Sequence, residues 1–188
     1  PSVSFASFRR GQSPITGDYP PPAQVEEDLK SLVGVTKGIR TYTSREGMDV
    51  LPALARKYGI EVTHSAWLGK KTDINTKEVQ ELIKAANANP DVIKRVNPGN
   101  EVLLRQDLTP EQLIAYIRQV KAAVKQPVSY ADVWAFYLRY PQVADEVDYI
   151  TIHILPYWED EPIGVEGSAE HIVKIYRMIQ ERFPGKPI

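Results

Sequence analysis

The segment Gly99-Asn100-Glu101-Val102 is the part of the sequence whose residue types most clearly could carry chemistry. A carboxyl group placed just beyond a barrel strand can protonate a glycosidic oxygen, and a neighbouring carboxamide can hydrogen-bond the sugar 2-hydroxyl as the transition state develops. The same residues are equally typical of a Gly-Asn turn followed by a solvated glutamate. Glu101 is therefore a candidate general acid with Asn100 as its helper, and the turn stays open as the alternative.

A second group of candidates lies at the ends of short apolar runs. It combines planar aromatic rings with carboxylates, a guanidinium and an imidazole, and it contains no phosphate-binding loop. A sugar presents apolar faces and a rim of hydroxyl groups, so this combination favours a carbohydrate ligand. Besides Asn100, the candidates for substrate binding are Arg40, Tyr42, Trp67, Asp132, Trp134, His153, Tyr157, Trp158 and Glu159. Each aromatic residue taken singly is more typical of packing, and the acidic run 159–161 is also typical of a solvated loop.

Six apolar or β-branched runs alternate along the chain with amphipathic stretches. The runs are 3–8, 38–42, 60–67, 92–96, 127–131 and 149–155, and helical spacing of apolar residues follows at 23–32, 47–57, 76–86, 110–124 and 169–183. Thr109 as N-cap and Pro110 at the first helical position predict the start of the clearest helix. Strands that alternate with helices predict an α/β fold with a parallel sheet and right-handed crossovers.

Two architectures fit this alternation, an open doubly wound sheet and a (β/α)8 barrel. The open nucleotide-binding sheet is disfavoured, because no glycine-rich phosphate fingerprint follows any strand and Arg10-Gly11-Gln12 stands after the first one. A barrel needs eight β/α units, whereas about six occupy all 188 residues, and a six-stranded arc exposes two sheet edges. We therefore predict that residues 1–188 form a single catalytic barrel domain that is truncated before the seventh strand.

The composition argues against several other classes of protein. A net charge of -1 gives no field that attracts nucleic acid, so we expect no nucleic-acid partner. The absence of cysteine excludes disulfide scaffolds, thiolate zinc sites and cysteine nucleophiles. The three histidines, His64, His153 and His171, are far apart in sequence, which argues against a histidine-rich metal site. We expect neither a metal nor another cofactor.

Four separated motifs give the sequence a resemblance to a known family. They are Ile39-Arg-Thr-Tyr42, Gly99-Asn-Glu-Val-Leu-Leu-Arg105, Tyr130-Ala-Asp-Val-Trp134 and Ile150-Thr-Ile-His-Ile-Leu-Pro-Tyr-Trp-Glu159. With them the chain resembles glycoside hydrolase family 17, and most closely its bacterial branch that acts on β-1,3-glucan. The resemblance extends over nearly the whole chain, from Ser4 to Pro187.

The resemblance implies a (β/α)8 barrel that hydrolyses or transfers β-1,3-glucosyl linkages with retention of configuration. The family's general acid/base is the glutamate of an Asn-Glu pair, which maps onto Glu101 with Asn100 as helper. Its nucleophile is a second glutamate at the end of the seventh strand, which the resemblance places beyond residue 188. Glu101 would protonate the leaving oxygen and then act as base toward water or an acceptor sugar. Aromatic acceptor platforms, for which Trp134, Tyr157 and Trp158 are candidates, favour transfer.

The other candidates receive less specific roles. Arg40 would hydrogen-bond a catalytic carboxylate or form an ordinary barrel ion pair, and Tyr42 and Tyr157 would donate hydroxyl groups near the nucleophile or the sugar. His153 would contact the ligand or be a satisfied core histidine. Asp132 would orient a substrate hydroxyl or only cap the helix that follows.

One residue departs from the family pattern. Pro98 stands where the family usually has an apolar strand residue. Because proline removes a hydrogen bond from the sheet ladder, we expect either a bulge that re-aims Glu101 or a locally altered strand end.

Two other functions stay open. A non-catalytic β-glucan-binding domain that keeps the barrel cleft would bind β-1,3-glucan oligosaccharides without releasing reducing ends. An unrelated α/β enzyme that uses His153 and Asp132 as an acid/base pair would be indifferent to the loss of Glu101. The expected partner is a β-glucan oligosaccharide or polysaccharide, and the expected location is periplasmic or extracellular. A membrane glycosyltransferase that is fused to the domain or associated with it stays open as a further partner.

Overall fold

The computed structural model describes residues 2–188, in which six strands alternate with helices. The strands are β1 (Ser2–Ser4), β2 (Gly38–Arg40), β3 (Glu61–Ala66), β4 (Ile93–Pro98), β5 (Ala131–Val133) and β6 (Thr151–His153). The helices are α1 (Pro22–Ser31), α2 (Leu51–Lys57), α3 (Thr72–Ala88), α4 (Pro110–Ala123), α5 (Trp134–Arg139), α6 (Gln142–Glu146) and α7 (Val165–Arg182), and a 3₁₀ turn, Met48–Val50, precedes α2.

The strands form one parallel arc in the order of the sequence. β1 to β4 pair side by side, and β5 pairs with β6. Isolated parallel bridges between Val96 and Val128 and between Asn100 and Ala131 join the two groups. Beyond α7 the chain returns to the arc, where the Ile150 N–H donates to the Pro187 carbonyl oxygen at 2.7 Å. Sequential parallel order is what the first six units of a barrel require.

Most helices and strands lie where the apolar spacing predicts them, with one displaced strand. The fifth strand was expected at 127–131, but its ladder begins at Ala131 and Val128 contributes only a bridge. Pro127 has no N–H to give to a ladder, which disfavours regular pairing at that point. The predicted start of α4 is confirmed, since the Thr109 hydroxyl accepts from the Gln112 N–H at 3.2 Å and the Gln112 side chain accepts from the Thr109 N–H at 2.9 Å. This is a capping box.

The two faces of the arc differ in chemistry. Apolar residues such as Ile39, Val62 and Ile93 are buried in the core cluster that also contains Leu29 and Leu82 of the helices. The concave face borders a cavity of about 1000 Å³, to which the strands contribute Arg40, Thr63, Arg95, Asn97 and Thr151. Because side chains alternate across a strand, one register packs against the apolar faces of the helices and the other brings these polar groups to the cavity. The rest of the cavity lining is largely apolar and includes Ile152, Ile154 and Ile172.

Candidate active site

Glu101 lies directly after β4, at the carboxyl edge of the arc where parallel α/β folds collect their functional groups. Its N–H donates to the Ala131 carbonyl oxygen at 2.7 Å, and its backbone is left-handed with φ 52°. The preceding Gly99 has φ 99°, a value that a glycine tolerates easily. About 25% of the Glu101 side chain is exposed, so the carboxyl group is held by its backbone and still open to a ligand.

Pro98 ends the strand in register and without a bulge. It pairs with Ala66 as the last residue of β4, and the register shift between β3 and β4 lies at the other end of the ladder, near Val62. The Gly99 N–H, which donates to the Ala66 carbonyl at 2.9 Å, continues the hydrogen bonding that Pro98 cannot supply. Of the two expectations for Pro98, the bulge is therefore wrong.

Arg40, His153 and Glu101 form a chain of hydrogen bonds across the concave face. Arg40 Nη1 lies 3.1 Å from His153 Nε2, and His153 Nδ1 lies 2.6 Å from Glu101 Oε1. Arginine can only donate, so Nε2 of His153 accepts and its hydrogen is on Nδ1, from where it is donated to Glu101. Arg40 thus fixes the tautomer of the imidazole, and His153 holds one carboxyl oxygen of Glu101.

Arg40 also orients Asn100. Its Nη2 donates to Asn100 Oδ1 at 2.5 Å, so the amide oxygen is engaged and the NH2 group is left as the donor. The guanidinium lies 5.1 Å from the centre of the Tyr42 ring, within cation–π range. Burial lowers the pKa of Arg40, which the charge of Glu101 opposes. The direct contact that we expected between Arg40 and a catalytic carboxylate is not present with Glu101, because the imidazole lies between them.

A second arginine supports Trp67. The Arg105 guanidinium lies 4.3 Å from the centre of the Trp67 ring, while its Nη2 donates to the Leu68 carbonyl at 2.7 Å and its Nε donates to Asp107 at 2.8 Å. Arg105 also donates to the Asn100 carbonyl oxygen. One face of Trp67 is therefore covered by a fixed cation, and the ring keeps about 40% of its surface exposed. Arg105 was missed as a site residue, although it stands four residues after Glu101 in the same motif.

Glu78 of α3 joins two loops of the carboxyl edge. Its Oε2 accepts the N–H groups of Ser44 and Trp67, each at 3.0 Å, and its Oε1 accepts the Thr43 hydroxyl. Burial raises the pKa of Glu78, and these hydrogen bonds oppose the rise. No sequence pattern indicates this role, because a glutamate inside an amphipathic helix is typical of a solvated face.

Asp132 and Trp134 do not have the surroundings expected of sugar-binding groups. The Asp132 carboxylate is fully buried and accepts from the Tyr130 hydroxyl and, at 2.7 Å, from the Val133 N–H just before α5. A side chain with no exposed surface does not favour a contact with a substrate hydroxyl, and the alternative of a helix cap is not met either, since the N-cap of α5 is Val133 with no side-chain cap hydrogen bond. Trp134 is partly buried and packs against the core as the first residue of α5, which does not suit an acceptor platform.

The loop between β6 and α7 presents two aromatic rings. Tyr157 and Trp158 are 71% and 79% exposed, and their rings meet edge to face with centres 5.5 Å apart. Glu159 anchors this loop, since it accepts from the Leu155 N–H at 3.1 Å and lies 2.8 Å from His171 Nε2. The Glu159 side chain is only 14% exposed. It is thus not a solvated residue but a support for the two rings, and its predicted contact with the substrate stays a prediction.

Residues 2–188, the part of the chain that the structure describes, lack two kinds of feature. No three His, Cys, Asp or Glu side chains in that range are grouped as metal ligands. None of the helices within it is both long and apolar enough to cross a bilayer.

The fold and the polar carboxyl edge define an α/β barrel protein with the layout of the barrel enzymes. The family model for the BtgE/BtgC glycoside hydrolase domain matches residues 4–188, and the chain belongs to this family. A glucan 1,3-beta-glucosidase of Arthroderma benhamiae is 27% identical over 176 residues, which cover 87% of this chain and 56% of that protein. The chain thus spans little more than half the length of this curated relative.

Solved structures agree on the architecture. The glycoside hydrolase family 17 beta-1,3-glucanosyltransferase from Rhizomucor miehei matches with a TM-score of 0.83 and 23% identity, over 99% of this chain and 68% of that chain. Its active-site mutant in complex with laminaritriose matches with a TM-score of 0.84, again over 99% of this chain and 68% of that chain. A Bacteroides uniformis beta-glucuronidase gives a TM-score of 0.71 at 15% identity, over 99% of this chain and 24% of that chain. The predicted fold class, a partial (β/α)8 barrel, and the resemblance to family 17 are confirmed.

Proposed function

We propose that this chain is the larger part of a catalytic barrel that cleaves β-1,3-glucan with retention of configuration and passes the glucosyl unit to an acceptor. The observation that carries the proposal is the position of Glu101, a partly exposed carboxyl group at the end of β4 that is hydrogen-bonded to His153. Membership of a glycoside hydrolase family supports it, as do relatives named as a glucan 1,3-beta-glucosidase and a beta-1,3-glucanosyltransferase.

In this mechanism Glu101 is the general acid/base. Oε1 accepts the His153 Nδ1–H, so the catalytic proton resides on Oε2, the oxygen that is left to face the glycosidic oxygen. Glu101 gives this proton to the leaving sugar and then recovers one from the incoming acceptor. The Asn100 NH2 group, the donor half of the amide whose oxygen Arg40 holds, donates to the 2-hydroxyl of the sugar, where the contact strengthens as positive charge develops on the ring.

The proposed nucleophile is a glutamate that follows residue 188. A retaining mechanism needs two carboxyl groups about 5–5.5 Å apart. The hydrogen bond from Ile150 to Pro187 brings the segment after α7 beside β6. A strand that continued from there in parallel would end at the same edge as Glu101, which is the position that a nucleophile requires.

Transfer to a sugar is favoured by the exposed ring pair. Aromatic faces bind the apolar faces of pyranose rings, and Tyr157 and Trp158 are held outward on a loop that Glu159 and His171 anchor. A sugar that is held there competes with water for the glycosyl-enzyme.

The test is the substitution Glu101→Gln in the full-length protein that carries this chain. With laminari-oligosaccharides we expect turnover to fall about 10²–10⁴-fold, the usual share of general acid–base catalysis. The glycosylation step with an activated aryl β-glucoside, whose leaving group departs without a proton, should fall far less. The matched control is Glu111→Gln, at an exposed glutamate in the first turn of α4.

Product analysis separates the alternatives. Products longer than the starting oligosaccharide indicate transfer, and only shorter ones indicate hydrolysis. Full activity in Glu101→Gln would refute the assignment of the acid. Binding of laminari-oligosaccharides by the full-length protein without any cleavage would instead support the non-catalytic glucan-binding domain.

A further inference from the structure

The turn that carries Glu101 has an unusual backbone. Gly99 and Glu101 both have positive φ values, 99° and 52°. An L-residue such as glutamate adopts the left-handed region only when its surroundings hold it there. Something beneath the turn must therefore fix the direction in which the Glu101 side chain leaves the backbone.

Two buried side chains of the neighbouring strand contact this turn. Tyr130 and Asp132 are 1% and 0% exposed. The Tyr130 hydroxyl oxygen accepts the Leu103 N–H at 3.1 Å and donates its own hydrogen to Asp132. Asp132 also accepts the Val133 N–H at 2.7 Å. Burial raises the pKa of Asp132, and the nearby N–H groups of Leu103 and Leu104 oppose the rise. The phenol, itself held by the carboxylate, fixes the backbone two residues after Glu101.

The Tyr130 ring supports the other side of the turn. A Cβ atom placed on Gly99 would lie 3.2 Å from the edge of this ring and 2.9 Å from Val102 Cγ2. The turn therefore packs closely against the Tyr130 ring, which leaves little space for Gly99 to move toward the ring. A fully hydrogen-bonded buried network of this kind is rigid and specifies one arrangement.

We propose that Tyr130 and Asp132 are positioning residues for Glu101 in the reaction proposed above, on which this inference rests. Neither side chain has the exposed surface needed to touch a substrate, so both act through the backbone of residues 99–104. They set the direction of the Glu101 carboxyl group, so that Oε1 meets His153 and Oε2 faces the glycosidic oxygen.

The structure offers a matched pair of variants, Tyr130→Phe and Tyr137→Phe. Both tyrosines are buried to the same degree, their ring centres are 6.2 Å apart, and each substitution removes one hydroxyl group from the same part of the core. The Tyr137 hydroxyl donates to the Tyr130 carbonyl oxygen at 2.6 Å, whereas the Tyr130 hydroxyl holds the turn. A general loss of stability affects both variants, and a loss of positioning affects only the first.

In the full-length protein, Tyr130→Phe is expected to lower kcat on laminari-oligosaccharides about 10- to 100-fold, because a small displacement of a catalytic group has an effect of this size. KM should change little. Glycosylation by an activated aryl β-glucoside should fall less than 3-fold, and Tyr137→Phe should leave the ratio of the two activities unchanged. Equal losses on both substrates, or the same change of ratio in Tyr137→Phe, would overturn the proposal.

A second readout does not depend on activity. The ¹⁵N shift of His153 Nδ1 reports the hydrogen bond to Glu101, and Tyr130→Phe should move it while Tyr137→Phe should not. If Glu101→Gln is fully active, the proposed function fails, yet this signal still shows whether Tyr130 holds the turn. If Tyr130→Phe does not fold, Asp132→Asn is compared with the wild type in the same way. An unchanged ¹⁵N shift of His153 Nδ1 in whichever of these variants folds refutes the positioning role.

Discussion

His64 sets a limit to the stability of the fold in acid. It lies on β3, is fully buried, and has its Nδ1 2.8 Å from the Thr41 hydroxyl oxygen. That oxygen accepts the Ser65 N–H at 3.2 Å, so its own hydrogen is available to donate to the neutral imidazole. Burial lowers the pKa of His64 from 6.5 to about 4. Protonation therefore opposes both the burial of the ring and its hydrogen bond.

The sign and size of the effect follow from linkage. Below pH 6.5 the histidine binds a proton in the unfolded chain, whereas in the folded chain it does so only near pH 4. The free energy of unfolding therefore falls as the pH falls through this window. With about 1.4 kcal/mol for each pH unit, the loss from this one residue is about 2 kcal/mol at pH 5 and about 3 kcal/mol at pH 4.

The assay is urea unfolding at pH 7, 6, 5 and 4 of the wild type and of His64→Gln, which cannot titrate at this position. Other titrating groups contribute equally to both proteins, so the difference between their free energies of unfolding isolates His64. Between pH 7 and 4 this difference should shift by about 3 kcal/mol against the wild type. If the free energy of unfolding depends on pH in the same way in both proteins, the reasoning is refuted. Ring proton signals of His64 that titrate near pH 6.5 in the folded wild type would refute it as well.

Substitutions at two further positions, Glu78 and Gly99, test the supports of the carboxyl edge. Glu78→Ala leaves the N–H groups of Ser44 and Trp67 without their acceptor and should lower the free energy of unfolding by about 3 kcal/mol. Glu78→Gln keeps an oxygen for these groups and should lower it by about 1 kcal/mol. Equal losses for the two variants in urea unfolding would contradict this expectation. Gly99→Ala places a Cβ 2.9 Å from a neighbouring side chain at φ 99°, while the control Gly34→Ala, at φ 81°, meets nothing within 4 Å. Gly99→Ala should lower Tm by several degrees more than the control, and similar Tm values would show that the turn yields.

The regular part of the fold was predictable because it follows from periodicity. Long runs of apolar residues at helical spacing, such as those of α3 and α4, identify helices whatever surrounds them. α5 and α6, with six and five residues, were not predicted, because neither is long enough to show a full apolar repeat. The predicted location outside the cytoplasm, the truncation and the membrane glycosyltransferase concern the cell or the protein beyond these residues, and they stay predictions.

The site was predictable as a list of residues but not as a set of contacts. Strand ends identified Glu101, Arg40 and His153, because the carboxyl edge of a parallel sheet is where such groups collect. The hydrogen bond between Arg40 and His153 joins residues 113 positions apart, and only the curvature of the arc brings them together. Spacing along the chain carries no information about such a contact. For the same reason, the burial of Asp132 could not be seen in its motif, because residue types alone do not show which side chains face the core.

Three carboxyl groups near the carboxyl edge show why residue type alone does not define a catalytic acid. Glu78 and Asp132 are buried. Glu78 accepts two backbone N–H groups, and Asp132 accepts one backbone N–H group and the Tyr130 hydroxyl, so a proton on either displaces a hydrogen bond that the fold needs. Glu101 hydrogen-bonds an imidazole through one oxygen and keeps a quarter of its side chain exposed. It can exchange a proton without disturbing the backbone. The number of backbone donors around each carboxylate therefore separates the two structural acids from Glu101, the proposed catalytic acid.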